Sequence, residues 1–312
     1  MPTAVSLFSG CGGSDSGLLA TGFDVLMAND IIDYARQVYE ANLPTTDYVV
    51  GDVSKIAAFP QAELLAGCYP CQGFSQGGKR DPSRKINTLY LEFARALRAI
   101  RPKAFIVENV SGMVRANFRH LLDDQFRVFR ESGYRVTAEV LNAADFGVAQ
   151  DRRRIFIVGL RDDLGLDYRF PAPTHGPGRE QPHVTIRDAI GGMPDWPEGE
   201  FYAREFHWYY LSRDRRRGWE EQSKTIVANE RHMPLHPMSP PLVKHAHNDW
   251  RFAHDAPARR FSYREAACLQ GFKPGLAFPD TARLEMRYKV VGNAVPPPLF
   301  EAVARALPAV WD

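Results

Sequence analysis

Cysteine is scarce in this sequence: the 312 residues contain four, Cys11, Cys68, Cys71 and Cys268. Disulfide scaffolds are short secreted chains dense in cysteine, so this chain is not expected to be one. A structural zinc site needs four ligands, usually in paired clusters, and the sequence contains a single Cys-x-x-Cys. The sequence therefore predicts a reduced protein and no metal site.

Long apolar runs are also missing. No segment approaches the ~20 apolar residues of a membrane helix. The N-terminus, "MPTAVSLFSG", has no positively charged region before its apolar stretch, which argues against a signal peptide. We therefore expect no membrane contact and a place in the cytoplasm. The formal net charge is only +2, so charge indicates a nucleic-acid partner only where individual segments do.

Apolar runs alternate with amphipathic segments over the first 165 residues. The runs "AVSLF", "FDVLMAND", "YVVGDV", "ELLAGCYP" and "KAFIVENV" predict strands. Residues 86–101 and about 117–132 predict helices, and two more strands are expected near 134–141 and 154–160. This alternation predicts an α/β fold with a doubly wound, mostly parallel sheet.

Ligands of such sheets bind beyond the carboxyl ends of the strands, where Asp30, Asp52, Cys71 and Glu108 are expected. The loop "FSGCGGSDSG" lets an anionic ligand approach the backbone. It does not fit G-x-G-x-x-G and lacks a Walker lysine, so alone it leaves a cofactor site and a tight turn open. Asp30 suits a ribose diol and Asp52 an adenine amino group, and together with the loop they favour an adenosine-containing cofactor.

Cys68 and Cys71 allow three interpretations: a redox pair, half of a zinc site, or a single nucleophile. A thioredoxin-like pair opens a long helix, whereas "QGFSQGGKRDPSRK" predicts a loop. A thiolate is a strong nucleophile when nearby cations lower its pKa, and residues 79–103 are rich in Lys and Arg. The basic loop suits a polyanionic substrate, although a solvated surface would have the same composition.

Two further segments carry candidate groups. A Glu108 carboxyl in a partly apolar pocket can stay protonated and donate to a ring nitrogen. In "QDRRRIFIVGL", strand alternation directs Arg152 and Arg154 to one face. That pair could hold a phosphate or a base carbonyl, and surface salt bridges remain an equal alternative.

The composition changes after about residue 165. A Pro-, Trp-, His- and Arg-rich stretch with weak periodicity extends to about residue 257 and predicts an inserted domain. A capped helix then begins, with Ser262 and Glu265 in capping-box spacing. The last segment, "YKVVGNAVPPPLFEAVARAL", predicts a return to the first domain.

The ordered segments "LFSGCGG", "GDV", "PCQGFS", "ENV", "QDRRR", "REAACLQGF" and "GNAVP" resemble the DNA (cytosine-5)-methyltransferase family, in its usual order, from residue 4 to about 307. Three positions depart from the common pattern: Ser6, Ala149 and Lys273. The resemblance implies an S-adenosylmethionine-dependent methyltransferase sheet formed by residues 1–165 plus 258–312. Residues 166–257 would form a smaller, irregular target-recognition domain.

The resemblance also implies roles. Cys71 would add to C6 of a flipped cytosine, Glu108 would contact N3 and the amino group, and Arg154 would hold O2 with Arg152 beside it. S-adenosyl-L-methionine would give its methyl group to C5 and leave as S-adenosyl-L-homocysteine. The implied cofactor residues are Phe8, Ser9, Gly10, Cys11, Gly12, Gly13, Asp30, Ile31, Asp52, Val53, Pro70, Leu89, Asn293, Ala294 and Val295. The expected DNA contacts are Gln72, Ser75, Lys79, Arg80, Arg213, Arg215, Arg216, Arg217, Thr225 and Ile226.

Double-stranded DNA is the expected partner of a bacterial cytoplasmic protein that acts as a monomer. Whether a cognate restriction endonuclease acts beside it stays open. An RNA cytosine-5 methyltransferase is the alternative enzyme, but the Cys-Phe-Thr typical of that branch is missing. A silent DNA-binding relative would lack Cys71 or Glu108, and both are present. A surface loop without DNA contact remains the alternative for "SRDRRRGW".

Overall fold

The computed structural model describes residues 1–70, 88–115 and 118–311, which form two compact units. The first unit comprises Met1–Asn142, Arg153–Ala172 and Pro297–Asp312, and the second comprises Ala143–Arg152 and Pro173–Pro296. The described strands are β1 (Thr3–Leu7), β2 (Asp24–Asp30), β3 (Asp47–Val50), β4 (Leu64–Gly67), β5 (Ala104–Val110), β6 (Tyr134–Asn142), β7 (Gln150–Asp151), β8 (Arg153–Arg161), β9 (Ser223–Lys224), β10 (Leu242–Ala246) and β11 (Asp249–Phe252).

The described α-helices are α1 (Gly13–Ala20), α2 (Asp33–Asn42), α3 (Leu89–Ile100), α4 (Arg119–Glu131), α5 (Ile186–Ile190), α6 (Trp208–Leu211), α7 (Tyr263–Leu269), α8 (Leu284–Asn293) and α9 (Pro297–Arg305). In the described part of the chain, no helix has both the length and the apolar character needed to cross a membrane.

A seven-stranded sheet organises the first unit, in the order β3-β2-β1-β4-β5-β8-β6. The strands from β3 to β5 are parallel, while β8 runs antiparallel to both β5 and β6. The predicted doubly wound, mostly parallel sheet is confirmed. The reversal of β8 brings its beginning to the edge at which β5 ends.

Helices cover the sheet because their apolar residues recur at helical spacing. On α3 the buried positions include Phe93, Ala94 and Leu97, and the Phe93 ring meets those of Phe105 and Phe129 at centroid distances of 5.8 and 5.7 Å. On the opposite face of the sheet, the ring of Phe156 on β8 lies 6.0 Å from the ring of Phe300 on α9. Successive side chains of β8 thus serve cores on alternate faces.

The boundaries of the two compact units differ from those of the predicted domains. Residues 258–296 belong to the second unit, although the sequence assigned them to the catalytic domain. The physical reason is local packing, because α7 packs against both α5 and α8. A target-recognition role for residues 166–257 stays a prediction.

A buried ion pair anchors the second unit. Both side-chain oxygens of Glu265 accept from Arg259 at 2.7 Å, and the two side chains are 1% exposed or less. The predicted capping box is confirmed, because Ser262 accepts from the Glu265 N–H while Glu265 accepts from that of Ser262. Burial, together with the charge of Arg259, lowers the pKa of the neighbouring His236 to about 3, so this ring stays neutral.

The sheet generates a stability prediction at Gly159, which lies opposite Phe105 in the β5–β8 pair. A Cβ atom at Gly159 would lie 2.1 Å from Phe105 Cε1, so Gly159→Ala should overpack the core and lower the free energy of unfolding by about 1–3 kcal/mol. Gly192→Ala is the control, because nothing lies within 4 Å of its added Cβ. Urea unfolding followed by circular dichroism measures both, and equal midpoints would contradict the packing described.

Candidate active site

The Gly-rich loop leaves β1 through backbone conformations that few side chains tolerate. Phe8 has φ 60°, and Gly10 and Gly12 have φ 54° and 89°. A Cβ atom at Gly12 would also lie 2.8 Å from Leu43 Cδ1, so glycine is required there for space as well as for conformation. A non-glycine residue at positive φ, as at Phe8, is a strained feature that clusters at functional sites.

Asp30 joins this loop to the end of β2. Its Oδ2 accepts from the Gly10 N–H at 3.1 Å, and its Oδ1 accepts from the Ile32 N–H at 3.0 Å. The carboxylate is thus fixed in position by backbone donors.

The neighbouring strand end presents a second carboxylate. Asp52 is exposed, and its Oδ1 accepts from the Ser54 N–H at 3.0 Å at the start of a single 3-10 turn, Val53–Lys55. Hydrogen bonds from Ser54 lower the pKa of Asp52, so the group is an ionised acceptor. Beside it at the sheet edge, Ile31 is 70% exposed.

Glu108 and Arg154 form an ion pair within the sheet. Arg154 Nε lies 2.9 Å from Glu108 Oε1, and the two side chains are 14% and 9% exposed. Val110 and Arg154 are direct partners in the β5–β8 register, so all three side chains share one face. Burial lowers the pKa of Arg154 and the Glu108 charge opposes this effect. An acid and a cation thus stand together at the strand-end edge.

Asn109 fixes the backbone that leads toward Cys71. Its Nδ2 donates to the Tyr69 carbonyl at 3.0 Å, and its Oδ1 accepts from the Val110 N–H at 2.8 Å. The Tyr69 hydroxyl in turn donates to Gln125 Oε1 at 2.6 Å. Asn109 therefore holds the chain immediately before Pro70. The sequence placed Asn109 at a strand end but gave it no function.

Comparison with known proteins decides the family. The model of the C-5 cytosine-specific DNA methylase family matches residues 3–309. The chain belongs to this family. The methylase is 38% identical to type II methyltransferase M.BspRI of Lysinibacillus sphaericus, over 91% of this chain and 70% of that protein. It is 35% identical to M.BsuRI of Bacillus subtilis over 98% and 79%, and 34% identical to M.NgoPII of Neisseria gonorrhoeae over 97% and 94%.

Solved structures agree on the fold. A candidate DNA modification methyltransferase from an E. coli prophage superposes on the methylase with a TM-score of 0.73 at 22% identity, covering 98% of each chain. The S. pombe Dnmt2 methyltransferase superposes with a TM-score of 0.70 at 17% identity, over 97% of this chain and 96% of that one. The methylase is thus a DNA (cytosine-5)-methyltransferase with the fold of other methyltransferases.

The structure places the predicted cofactor residues in both units. Those of the first unit are the loop from Phe8 to Gly13, the strand-end residues around Asp30 and Asp52, exposed Pro70 and half-buried Leu89. Asn293, Ala294 and Val295 belong to the second unit, where Asn293 is exposed and the other two are buried. Predicted residues Cys71, Gln72, Ser75, Lys79 and Arg80 lie outside the described residues.

Arg152 is a structural centre of the second unit. Its side chain is buried and donates to the carbonyls of Ile226, Gly292 and Ala294 at 3.0, 3.2 and 3.1 Å. Gln150 accepts from the Ile226 N–H at 2.8 Å. Gln270 also belongs to this network, because it donates to the Ala294 carbonyl at 2.6 Å. The network therefore joins four segments singled out in the sequence: "QDRRR", "KTIVANE", "REAACLQGF" and "GNAVP". The geometry gives Arg152 a scaffold function, and its predicted catalytic contact stays a prediction.

The structure distinguishes the four arginines of "SRDRRRGW". Arg213 is exposed and stacks on Tyr209 at 4.6 Å. Arg216 donates to the Ser239 and Pro237 carbonyls at 2.7 and 2.8 Å, and Arg215 donates to the His232 carbonyl. Arg217 lies 3.6 Å from Glu221. Only Arg213 of this set is exposed.

The remaining recognition residues, Thr225 and Ile226, are held within the second unit. The Thr225 hydroxyl donates to the Asp151 carbonyl at 2.8 Å. The Ile226 side chain is 0% exposed. A DNA contact by Ile226 would therefore have to use its backbone or follow a rearrangement, and both predicted contacts stay predictions.

Sequence reasoning missed a polar network beneath the Gly-rich loop. Asp15 is fully buried, and its Oδ1 accepts from Ser6 Oγ at 2.5 Å and from Ser14 Oγ at 2.8 Å. Ser9 Oγ bonds to Ser6 Oγ at 2.9 Å. Burial raises the pKa of Asp15, and the hydroxyl donors oppose this effect. The signal available in the sequence was that Ser6 departs from the common family pattern and that Asp15 stands where G-x-G-x-x-G would have glycine. In the structure these two residues are hydrogen-bonded to each other.

This network predicts that the acid and the hydroxyl can exchange places. Asp15→Ser should lower the free energy of unfolding by about 1–3 kcal/mol, because buried hydroxyls lose their acceptor. Ser6→Asp alone should also destabilise, since two carboxyl groups would share one buried space. The double variant Ser6→Asp/Asp15→Ser restores an acid–hydroxyl pair and should recover most of the loss. Thermal unfolding of the four proteins tests this, and additive losses in the double variant would refute the pairing.

Proposed function

We propose that the methylase transfers a methyl group from S-adenosyl-L-methionine to C5 of a cytosine that has been flipped out of duplex DNA, with Cys71 as the nucleophile. The supporting observation is the Glu108–Arg154 pair, which lies at the strand-end edge beside β4, the strand that leads toward Cys71. A base can reach such an edge only after it leaves the stack.

The chemistry requires C5 to become nucleophilic. Addition of the Cys71 thiolate to C6 forms a carbon–sulfur bond and moves the electron pair of the C5–C6 double bond toward C5 and N3. When bound, S-adenosylmethionine would supply an electrophilic methyl group: a bond from C5 to the methyl carbon would form as the bond from that carbon to the sulfonium sulfur breaks, which would leave S-adenosylhomocysteine. Loss of the C5 proton to a base then restores the double bond and expels the thiolate.

Glu108 and Arg154 divide the recognition of the base. Glu108 would contact N3 and the amino group, where a proton gained from solvent as the base enters would offset the negative charge that develops during addition. Arg154 would donate to O2 with a guanidinium that already lies 2.9 Å from Glu108. Because the two groups already form an ion pair in the structure, cytosine would enter by taking up contacts with both of them. Arg152 would act at a distance, by holding the network of the second unit.

The residues of the first unit fit the adenosine part of the methyl donor. Asp30 is held by the Gly10 and Ile32 N–H groups at the end of β2, where a carboxylate suits a ribose diol. Asp52 is an ionised acceptor suited to the adenine amino group, and exposed Ile31 offers apolar contact to the ring. Val53 is buried, so its contact with the ring stays a prediction. Phe8, Ser9, Cys11, Pro70 and Leu89 would complete this surface. The contact of Asn293, Ala294 and Val295 with the methionine part stays a prediction.

Duplex DNA is the proposed partner. Gln72, Ser75, Lys79 and Arg80 would meet the DNA near the flipped base, and the second unit would read sequence. Because the substrate is DNA and the three relatives compared above are bacterial type II enzymes, we place its action in the bacterial cytoplasm. Monomeric action and a separate cognate restriction endonuclease stay predictions.

The nucleophile is tested with 5-fluorocytosine, whose fluorine blocks the release of the enzyme. Random-sequence duplexes that carry this base, incubated with the methyl donor, should give a covalent protein–DNA adduct resistant to denaturing electrophoresis. Cys71→Ser should abolish the adduct, whereas Cys68→Ser, the matched control, should retain it. An adduct with RNA only, or an adduct in the Cys71→Ser variant, would overturn the assignment.

The recognition arginines give a second test. Arg213→Ala should weaken DNA binding and reduce the salt slope by about 1, as expected for the loss of one phosphate contact. Its melting temperature should be unchanged because the side chain is exposed. Arg216→Ala should instead lower the melting temperature, since two carbonyls lose their donor. Fluorescence anisotropy across a salt series and thermal unfolding separate these effects, and an unchanged salt slope in Arg213→Ala would remove this residue from the interface.

A further inference from the structure

Arg95 belongs to the Lys/Arg-rich segment 79–103, but specific partners hold its partly exposed side chain. From α3, its Nη2 donates to the Val53 carbonyl at 2.8 Å and its Nη1 donates to the Ile56 carbonyl at 3.0 Å. Its Nε donates to Glu92 Oε2 at 2.8 Å, and its guanidinium lies 5.2 Å from the centre of the Phe59 ring. Every nitrogen of the guanidinium is therefore engaged.

The segment that Arg95 holds is the turn that follows Asp52. This turn is only three residues long, so few of its carbonyls have helical partners. Val53 is buried in the main core, while Asp52 remains exposed at the sheet edge. The direction of the Asp52 carboxylate thus depends on a short turn with two backbone hydrogen bonds of its own, from Lys55 to the Asp52 carbonyl at 2.9 Å and from Ile56 to the Val53 carbonyl at 3.1 Å.

The helix that carries Arg95 is rigid by comparison. Phe93, Ala94, Ala96 and Leu97 on α3 are all fully buried in the main core. The planar Arg95 guanidinium donates to two carbonyls at once. Because its donors are fixed relative to one another, it holds the turn in place against α3. A lysine at the same position would have one ammonium group and could not reproduce that geometry.

We propose that Arg95 is a positioning residue for the adenine end of the methyl-donor site, where it fixes the Asp52–Val53 turn so that Asp52 meets the adenine amino group. This inference rests on the proposed function, since it takes S-adenosylmethionine as the ligand. Arg95 itself is separated from the ligand by the turn and acts through Asp52.

The test compares two ligands that differ at one group. S-adenosylhomocysteine carries the adenine amino group, and S-inosylhomocysteine has a carbonyl oxygen in its place, which a carboxylate disfavours. In the wild-type protein, calorimetry should give S-adenosylhomocysteine a dissociation constant at least about tenfold lower than that of S-inosylhomocysteine. This is the effect expected of one hydrogen bond to a charged group. In Arg95→Ala this preference should largely disappear, and Arg95→Lys should not restore it.

Arg98→Ala is the matched control. It lies on the same helix, is exposed, and donates to Ser132 Oγ at 3.2 Å. This variant should keep the wild-type preference for the adenosyl ligand. In Arg95→Ala, KM for the methyl donor should rise while kcat at saturating donor stays unchanged, a division that general loss of folding would not give.

The possible failures are distinguishable. If the wild-type protein prefers the adenosyl ligand and Arg95→Ala keeps the same preference, Arg95 is a scaffold residue and the inference is wrong, while the proposed function stands. If Arg98→Ala loses the preference equally, the effect is not specific to the turn and the inference is also wrong. If the wild-type protein binds neither ligand, the proposed function itself fails.

Discussion

The Glu108–Arg154 ion pair is the contact on which the site depends. Both groups are largely buried, and breaking such a pair leaves an uncompensated charge that costs about 3–5 kcal/mol. The pair can form only because β8 runs against β5. In that orientation the start of β8 lies beside the end of β5, so Val110 and Arg154 become register partners. A parallel β8 would carry its arginine to the opposite edge of the sheet. The one antiparallel reversal in the sheet therefore gives the acid its cation.

A second theme is the capture of backbone carbonyls by arginine. Arg95, Arg152 and Arg216 each donate to two or more carbonyls in irregular segments. Such segments lack ladder partners, and buried carbonyls without donors are costly. A guanidinium satisfies several at once. Arginine-rich stretches therefore need not indicate a DNA-binding surface, and the small net charge of +2 agrees with that view. Among the arginines of "SRDRRRGW", exposure selects Arg213 as the group available to a polyanion.

Periodicity predicted the regular part of the fold well. The strands and the helix α3 follow from apolar runs and helical spacing, and the topology places Asp30 and Glu108 at one edge. The sequence could not predict which side chains would be engaged in hydrogen bonds to backbone carbonyls. Arg152 and Arg154 look equivalent by alternation, yet one holds three carbonyls and the other pairs with Glu108. Nor could it predict that residues 258–296 pack with the second unit, because that depends on contacts of α7 with distant helices.

The Cys-x-x-Cys spacing acquires a physical explanation from Cys68. Burial raises the pKa of this thiol well above its ordinary value, and the charges of Glu108 and Asp15 raise it further. A thiol that stays protonated is neither a good nucleophile nor a zinc ligand, and it cannot attack a disulfide. The Glu108 and Asp15 carboxyl groups thus suppress ionisation at position 68. This argues against a function for Cys68 as half of a redox pair or of a zinc site, and it agrees with the proposal that Cys71 is the nucleophile of the motif.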